Sequence, residues 1–341
     1  MKKYQKYIYS GYILILIVAF TPKEGIAQND TSVDNGYYIT FPKKLLVRLF
    51  LSQKFAPFTI SSHTDKELNY KTNSKLNLGI GATYKSFTLN LSSGFKFLNN
   101  DNGQGITKGL DLQLHIFPKK WAIDILGTFI KGYYLNPNDK SGLNFNTYYL
   151  RPDFRREVIG FTIFQVPNSN KFSYKASVTQ NEWQTKSAGS LLYGAEIYFG
   201  IIKGDSALVP NKVSNYFEQA GINKINFFSI GPGIGYAYTL VVSKNLFITG
   251  SFIASLDVNF SSEEKTNVTH KLSFIPGGNY KGAIGYNSDT WSISANLIGN
   301  ALYSGSYFSS KKYFLPTGNI LFTLARKMVF KNHLQHNRDS K

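Results

Sequence analysis

The chain has 341 residues, no cysteine, a formal charge of +18, and 17% charged against 16% aromatic side chains. Without cysteine there is neither a disulfide framework nor a lipid-anchored cysteine. The basic balance invites nucleic acid, but no recognition motif accompanies it; anionic lipid and sugar at a bacterial surface are the better counter-charges, and Lys solvated in loops is the plainer reading than either.

Residues 1–27 read as a removable leader. Lys2, Lys3 and Lys6 form a positive region, Ile8 to Phe20 an apolar one, and Gly25-Ile26-Ala27 a small-residue cleavage site before Gln28. Thirteen residues are too few for a comfortable membrane helix, which takes about twenty. Some 314 residues follow Ala27. The leader carries four Lys and one Glu, so its loss lowers the charge from +18 to +15.

Residues 28–43 read as a short periplasmic lead-in without room for a plug domain. A first strand is expected over Lys44 to Gln53, with Leu45, Val47, Leu49 and Leu51 opposite Arg48. A loop of about twenty residues follows. From Lys75 to Leu98, Leu76, Leu78, Ile80, Ala82 and Tyr84 alternate with Asn77, Gly79, Gly81 and Thr83; the two-residue turn Lys85-Ser86 leads into a second alternating arm. Period-two alternation gives one apolar and one polar face. Arms of about ten residues suit a tilted strand that crosses a bilayer.

Next, the run Asn99 to Ile106 is a loop of turn formers. Leu110 to Ile116 and Trp121 to Phe129 read as strands around a tight Pro118-Lys119 turn. Leu135 to Arg155 reads as a long loop, and strands are expected at about 157–166 and 171–181. Alternation then runs from Ser187 to Ile202, over 225–242 and from Leu246 to Phe260, with a loop from Lys203 to Lys224. Pro232 inside a strand predicts a bulge or bend. Residues 277–288 and 290–303 form a hairpin, Asn319 to Met328 a closing strand, and 331–341 a basic tail. This reading holds about thirteen strands. A single-chain barrel needs an even number, so the expectation is about twelve, in the range 12–14.

The fold class is therefore all-β: a transmembrane antiparallel up-and-down barrel of outer-membrane type, one domain over 44–330. The apolar faces carry Leu, Ile, Phe, Tyr and Trp, and the opposite faces mostly Gly, Ser, Thr and Asn. Small uncharged residues suit a confined lumen, and a soluble barrel of this size could not fill its interior with the apolar set. Closure also removes sheet edges, whose unsatisfied backbone groups lipid penalises. A secreted soluble β-protein is the alternative.

Several segments carry a family likeness: Tyr38-Ile39-Thr40-Phe41-Pro42 leading into Val47-Arg48-Leu49-Phe50-Leu51-Ser52-Gln53-Lys54; Leu76 to Lys85; Lys131-Gly132-Tyr133-Tyr134; Tyr149-Leu150-Arg151-Pro152-Asp153; and Trp183-Gln184-Thr185-Lys186-Ser187-Ala188-Gly189-Ser190. Together they resemble an outer-membrane barrel family of the Bacteroidota catalogued as domain of unknown function 4421, from about Gly36 to Met328. The resemblance implies an outer-membrane location and brings no activity, cofactor or catalytic residue. Phe330 is followed by eleven more residues, a departure from the usual terminal aromatic.

Asp111, His115 and Asp124 share the polar parity on adjacent strands. A His beside carboxylates can serve as a general base or proton relay, and a lipid deacylase would add a Ser nucleophile. A hydrogen-bonded prop for the lumen is the plainer reading, since confined polar groups need partners. Arg48, Lys96, Glu196 and Asp257 also have lumen parity; they could set ion selectivity or pair and close the pore. The glycines at 231, 233 and 235 have strand spacing and no following helix, so they are not a nucleotide loop. Tyr148, Tyr149, Arg151, Arg155 and Arg156 make the most binding-like loop, since Arg forks suit phosphate or carboxylate; solvated loop charge is the plainer reading. The five His residues lack metal-ligand spacing.

The expected function is a non-enzymatic outer-membrane barrel, a narrow pore or surface scaffold with a polar lumen, without metal or cofactor. Its expected partners are outer-membrane lipid, lipopolysaccharide and the barrel-assembly machinery. A barrel enzyme acting on lipid is the alternative.

Overall fold

The computed structural model describes residues 32–329, apart from 85–86, 96–97, 99–101, 138 and 144–145, and without the side chains of Phe87, Asp111 and Gln113. The leader and the basic tail lie outside the described residues.

Twelve strands form one antiparallel sheet rolled into a nearly closed barrel: β1 (Lys44–Phe55), β2 (Leu76–Tyr84), β3 (Phe87–Gly94), β4 (Lys108–Ile116), β5 (Trp121–Leu135), β6 (Tyr149–Gln165), β7 (Ala188–Lys203), β8 (Lys224–Val241), β9 (Leu246–Glu264), β10 (Val268–Asn287), β11 (Trp291–Ala301) and β12 (Thr317–Val329). Each pairs with its neighbour in sequence, and β12 returns to β1 with Val329 opposite Lys44. The exception is the β3–β4 seam: these strands stand at the two ends of the sheet, with no ladder between them among the described residues.

Alternation sets which way each side chain points. Leu191, Phe199, Ile234, Phe252, Leu272 and Phe322 face outward and are exposed. So wide an apolar surface is far larger than a soluble monomer tolerates, whereas it suits hydrocarbon. At the end holding the chain termini, Tyr84, Trp121, Tyr238 and Tyr286 are exposed, as in an interfacial girdle. The tall wall is β7–β10, with strands of 16 to 20 residues. A membrane crossing takes about 9–11 residues, so these strands project well beyond the hydrocarbon.

That projection explains where the sequence reading fell short. The expected strands omit 261–276, yet β9 and β10 run through them to a turn at 265–267; the outward Ser262, Glu264 and His270 and the inward Ile275 interrupt the alternation while the ladder continues. Likewise 149–155 belongs to β6 and is not loop. The strand expected at 171–181 does not exist: this stretch holds a short π-helical turn, Lys175–Thr179, inside the connection 166–187, and its removal leaves twelve strands. Pro232 produces no bulge. The β8–β9 ladder lapses at Gly231 and Pro232 and resumes in the same register, from Ile230 opposite Val258 to Gly233 opposite Ser255.

Both mouths are filled by the chain itself. At the loop end, a four-stranded sheet of Phe58–Ser61, Glu67–Tyr70, Tyr303–Ser304 and Tyr313–Phe314 packs with loop 204–223 and inward-facing strand residues around Phe58, Tyr70, Phe154 and Tyr198. At the terminus end, connection 166–187 folds inward over Phe117, Phe164 and Leu192. Its segment Glu182–Gln184 pairs with Tyr38–Thr40, which in turn pairs with Val33–Asp34. The lead-in is thus tied to a plug that comes from the middle of the chain.

Candidate functional site in the lumen

The polar interior is confined to the belt between these two fillings. Inward parity brings His115 on β4 opposite Asp124 on β5, with Nδ1 and Oδ1 2.5 Å apart. The other carboxylate oxygen accepts a 2.6 Å hydrogen bond from Lys281 Nζ. Lys281 lies on β10, across the lumen, and its ammonium sits 5.4 and 5.1 Å from the rings of Phe117 and Tyr174. Asp111 does not join this cluster at the backbone level: it pairs with Thr128, four residues along the strand from His115, or about 13 Å at strand rise.

A second group joins β7, β9 and β10. Glu196 on β7 is buried and accepts 2.5 Å hydrogen bonds from Ser255 Oγ and from Asn279 Nδ2. Asn279 stands two residues from Lys281 on the inner face of β10 and also accepts from Tyr198 OH at 3.2 Å. Asp257 is buried beside them, and its Oδ1 has no partner among the described residues. Gly231, opposite Glu196, makes the space: a Cβ there would stand 2.3 Å from Asp257 Oδ1. Gly233 gives way in the same fashion to the Phe164 ring, 2.9 Å from its would-be Cβ. The alternating glycines therefore admit inward side chains from neighbouring strands.

The remaining sequence-selected charges serve the fillings. Arg48 on β1 donates to Thr83 Oγ1 and, at 2.9 Å, to the Thr179 carbonyl of the plug. Lys96 lies outside the described residues. Arg156 is fully buried and donates to three loop carbonyls, Pro57 and Pro316 at 2.9 Å and Leu315 at 2.8 Å. Arg151 clasps Asp153 with two 2.8 Å bonds and reaches the Ala207 carbonyl at 2.9 Å. Both guanidiniums are thus turned into protein, so the expected anion-binding loop is instead the upper part of β6. Tyr148 packs edge-on against Tyr134, and Tyr149 lies against the loop-end core; Arg155 faces outward and is half-buried.

Residues that sequence reasoning passed over do much of the tying. Glu263 accepts from Tyr313 OH at 2.5 Å and from the Tyr307 amide at 2.8 Å. Lys271 donates to the Ser306 carbonyl at 2.5 Å, and Asn287 Nδ2 to the plug carbonyls of Glu182 at 2.7 Å and Ala176 at 3.2 Å. Their inward parity was readable for Lys281 and Asn287, within an expected strand, but their partners were not. A concavity of about 750 Å³ lies on the outer apolar wall between Leu49, Leu246, Ile284 and Phe322, away from this polar belt.

Over residues 29–320 the chain matches the model of the family described as Domain of unknown function (DUF4421). The chain belongs to that family. No curated protein matches it. Among solved structures, the outer membrane protease OmpT from Escherichia coli is 10% identical, with 87% of this chain and 100% of that chain covered and a TM-score of 0.34. OmpT of Vibrio cholerae, an outer membrane protein, is 8% identical over 88% and 100%, with a TM-score of 0.29. Neisserial surface protein A is 10% identical over 83% and 97%, with a TM-score of 0.21.

Proposed function

We propose that this DUF4421 protein is a closed outer-membrane scaffold rather than an open pore. It would be exported by the leader at 1–27 in a bacterium of the Bacteroidota and inserted by the barrel-assembly machinery. The long loops at one end and the mostly short turns at the other set the orientation, with the terminus end in the periplasm.

The observation that carries the closed reading is the bridging of the lumen. Lys281 on β10 reaches Asp124 on β5, nearly opposite in the strand order, and Asn279 on β10 reaches Glu196 on β7 over the two strands between them, with both mouths already filled by the chain's own residues. A conducting path would need these bonds broken, which would take Lys281 from its carboxylate and leave Asp124 with His115 and Glu196 with Ser255. The protein's exposed product is the packed cap of loops 56–75, 204–223 and 302–316, held rigid enough to present a surface.

Planar-bilayer recording of the purified full chain tests this. Baseline current without discrete steps is expected; regular steps of constant size in the unaltered protein would overturn it. The His115–Asp124 contact keeps the lipid-enzyme alternative open to a direct trial. Asp124 is clamped by Lys281, and no hydroxyl is bonded to His115 among the described residues, so the pair is read as a prop. His115→Ala should leave the cell's lipid A mass profile unchanged.

A further inference from the structure

One row of outward-facing residues has no role in this closure. At the loop end, Lys108 on β4, Lys131 on β5, Arg155 on β6, Lys203 on β7 and Lys224 on β8 are direct cross-strand partners in succession. Directly paired Cα atoms lie about 4.5–5.5 Å apart, and like charges so placed repel. Five consecutive strands therefore carry four adjoining like-charge pairs. The row ends on β9 at Glu264, which forms a 3.3 Å ion pair with Lys224. Among the described residues, Lys108, Lys131, Arg155 and Lys203 have no carboxylate within ion-pair distance, although Glu157 stands one outward position below Arg155.

Position says which anion fits. Two residues further toward the barrel middle the same outer face carries Leu110, Phe129 and Ile201 with Glu157 and Asn226 between and beside them, and four residues further it is Leu112, Gly127, Ile159, Phe199 and Phe228, without charge. The cations thus fringe the hydrocarbon band, where long basic side chains keep their stems in lipid and their heads at its polar edge. At the other mouth the same strands end outward on Ile116, Trp121, Gln165, Gly189 and Leu240, all uncharged, and the lysines there, Lys119, Lys120, Lys186 and Lys244, stand outside the strands and form no cross-strand row. The asymmetry selects one leaflet.

We infer that the β4–β8 face is a binding surface for the phosphate groups of a multiply phosphorylated glycolipid in the outer leaflet. Several fixed cations about 5 Å apart match several phosphates on one headgroup, and phosphate oxygens relieve the repulsion along the row. A soluble anion would gain nothing from the apolar surface directly beneath. The inference rests on the proposed orientation in the membrane.

The test uses the full chain in detergent micelles, with diphosphorylated lipid A, the same lipid stripped of phosphate, and phosphatidylethanolamine as probes, read by native mass spectrometry. The variant K108Q/K131Q/R155Q/K203Q/K224Q is set beside K43Q/K119Q/K120Q/K186Q/K244Q, which removes equal charge from the terminus end. The unaltered chain and the second variant should retain diphosphorylated lipid A at least tenfold over the stripped form. The first variant should lose that preference while melting no lower in phosphate-free micelles, since relieving the row removes repulsion. If it misfolds, K131Q/K203Q should still show a several-fold loss. Equal retention by the row variants, equal binding of stripped lipid, or displacement by inorganic phosphate at the lipid's own concentration would each overturn the inference. Failure to enter micelles at all would instead strike at the membrane reading.

Discussion

The barrel is sealed twice, and the two seals are built on different physics. At the loop end, twenty-two buried apolar side chains form a dry core fed by several loops and the inner faces of β5–β8. At the terminus end the described cluster holds only ten buried apolar residues, Phe172 and Tyr174 of the plug among them, and Arg48 and Asn287 of the barrel donate hydrogen bonds to plug carbonyls while Gln184 of the plug donates to the Tyr37 carbonyl of the lead-in. Apolar burial is lost only when the whole cluster opens, whereas a hydrogen bond exchanged for water costs little net. The terminus-end plug is therefore the seal that opens locally, and the loop-end core is part of the global fold.

The comparison breaks most sharply at Phe58. It is fully buried and ringed by Tyr70, Phe154 and Tyr313, at centroid distances of 6.4, 5.5 and 5.7 Å. Phe58→Ala should lower stability in micelles by about 3–5 kcal/mol, measured by equilibrium unfolding; a loss below about 1 kcal/mol would mean that the loop end is not a dry core.

Arg156→Met comes next. It strips the donors from three carbonyls, and roughly 3 kcal/mol is expected from buried acceptors left unpaired. Because Phe58 and the Pro57 carbonyl belong to one segment, the double variant should fall short of the sum. Full additivity would place the two residues in separate units.

Smaller effects belong to the plug. Asn287→Ala releases two plug carbonyls and should cost about 1–2 kcal/mol. Amide exchange over 174–184 should accelerate while that of Phe58–Ser61 stays slow; equal acceleration at both ends would make the seals one unit.

The finest distinction is pH. Burial raises the Glu182 carboxyl above its ordinary 4.5, against the opposing pull of the Ser173 hydroxyl and Lys175. A carboxyl raised in the docked state favours docking when protonated. Plug protection should therefore be fullest below pH 4.5 and decline as pH rises through the raised value. Glu182→Gln should flatten this dependence, with the loop end indifferent throughout. A plug whose exchange tracks pH identically in both proteins would remove Glu182 from the account.

The strands that cross lipid were legible because hydrocarbon on one side and a narrow lumen on the other impose a repeat of two residues. Leu191 to Ile201 and Phe252 to Phe260 show it plainly. At 149–155 the β5–β6 ladder shifts register between Arg151 and Arg155, and at 261–276 the outward Ser262, Glu264 and His270 and the inward Ile275 break the repeat, although the β9–β10 ladder persists. The segment 171–181 misled in the opposite sense. Phe172, Tyr174 and Ala176 alternate like a strand, but they are buried in the plug.

The candidate site was half readable. Parity placed His115, Asp124, Glu196 and Asp257 on the inner wall, yet nothing local says that Lys281 reaches across from β10, 157 residues away. Arg156 read as a loop cation because its partners are backbone carbonyls, which have no signature in a sequence.

The amino-acid order thus settled the all-β class and the outward face of each lipid-crossing strand, since both depend on residues a few positions apart. Only the tertiary structure decided that loops turn inward, that the lumen is bridged, and that five cations line up on neighbouring strands. Those outcomes depend on register and barrel closure, which join residues distant in the chain.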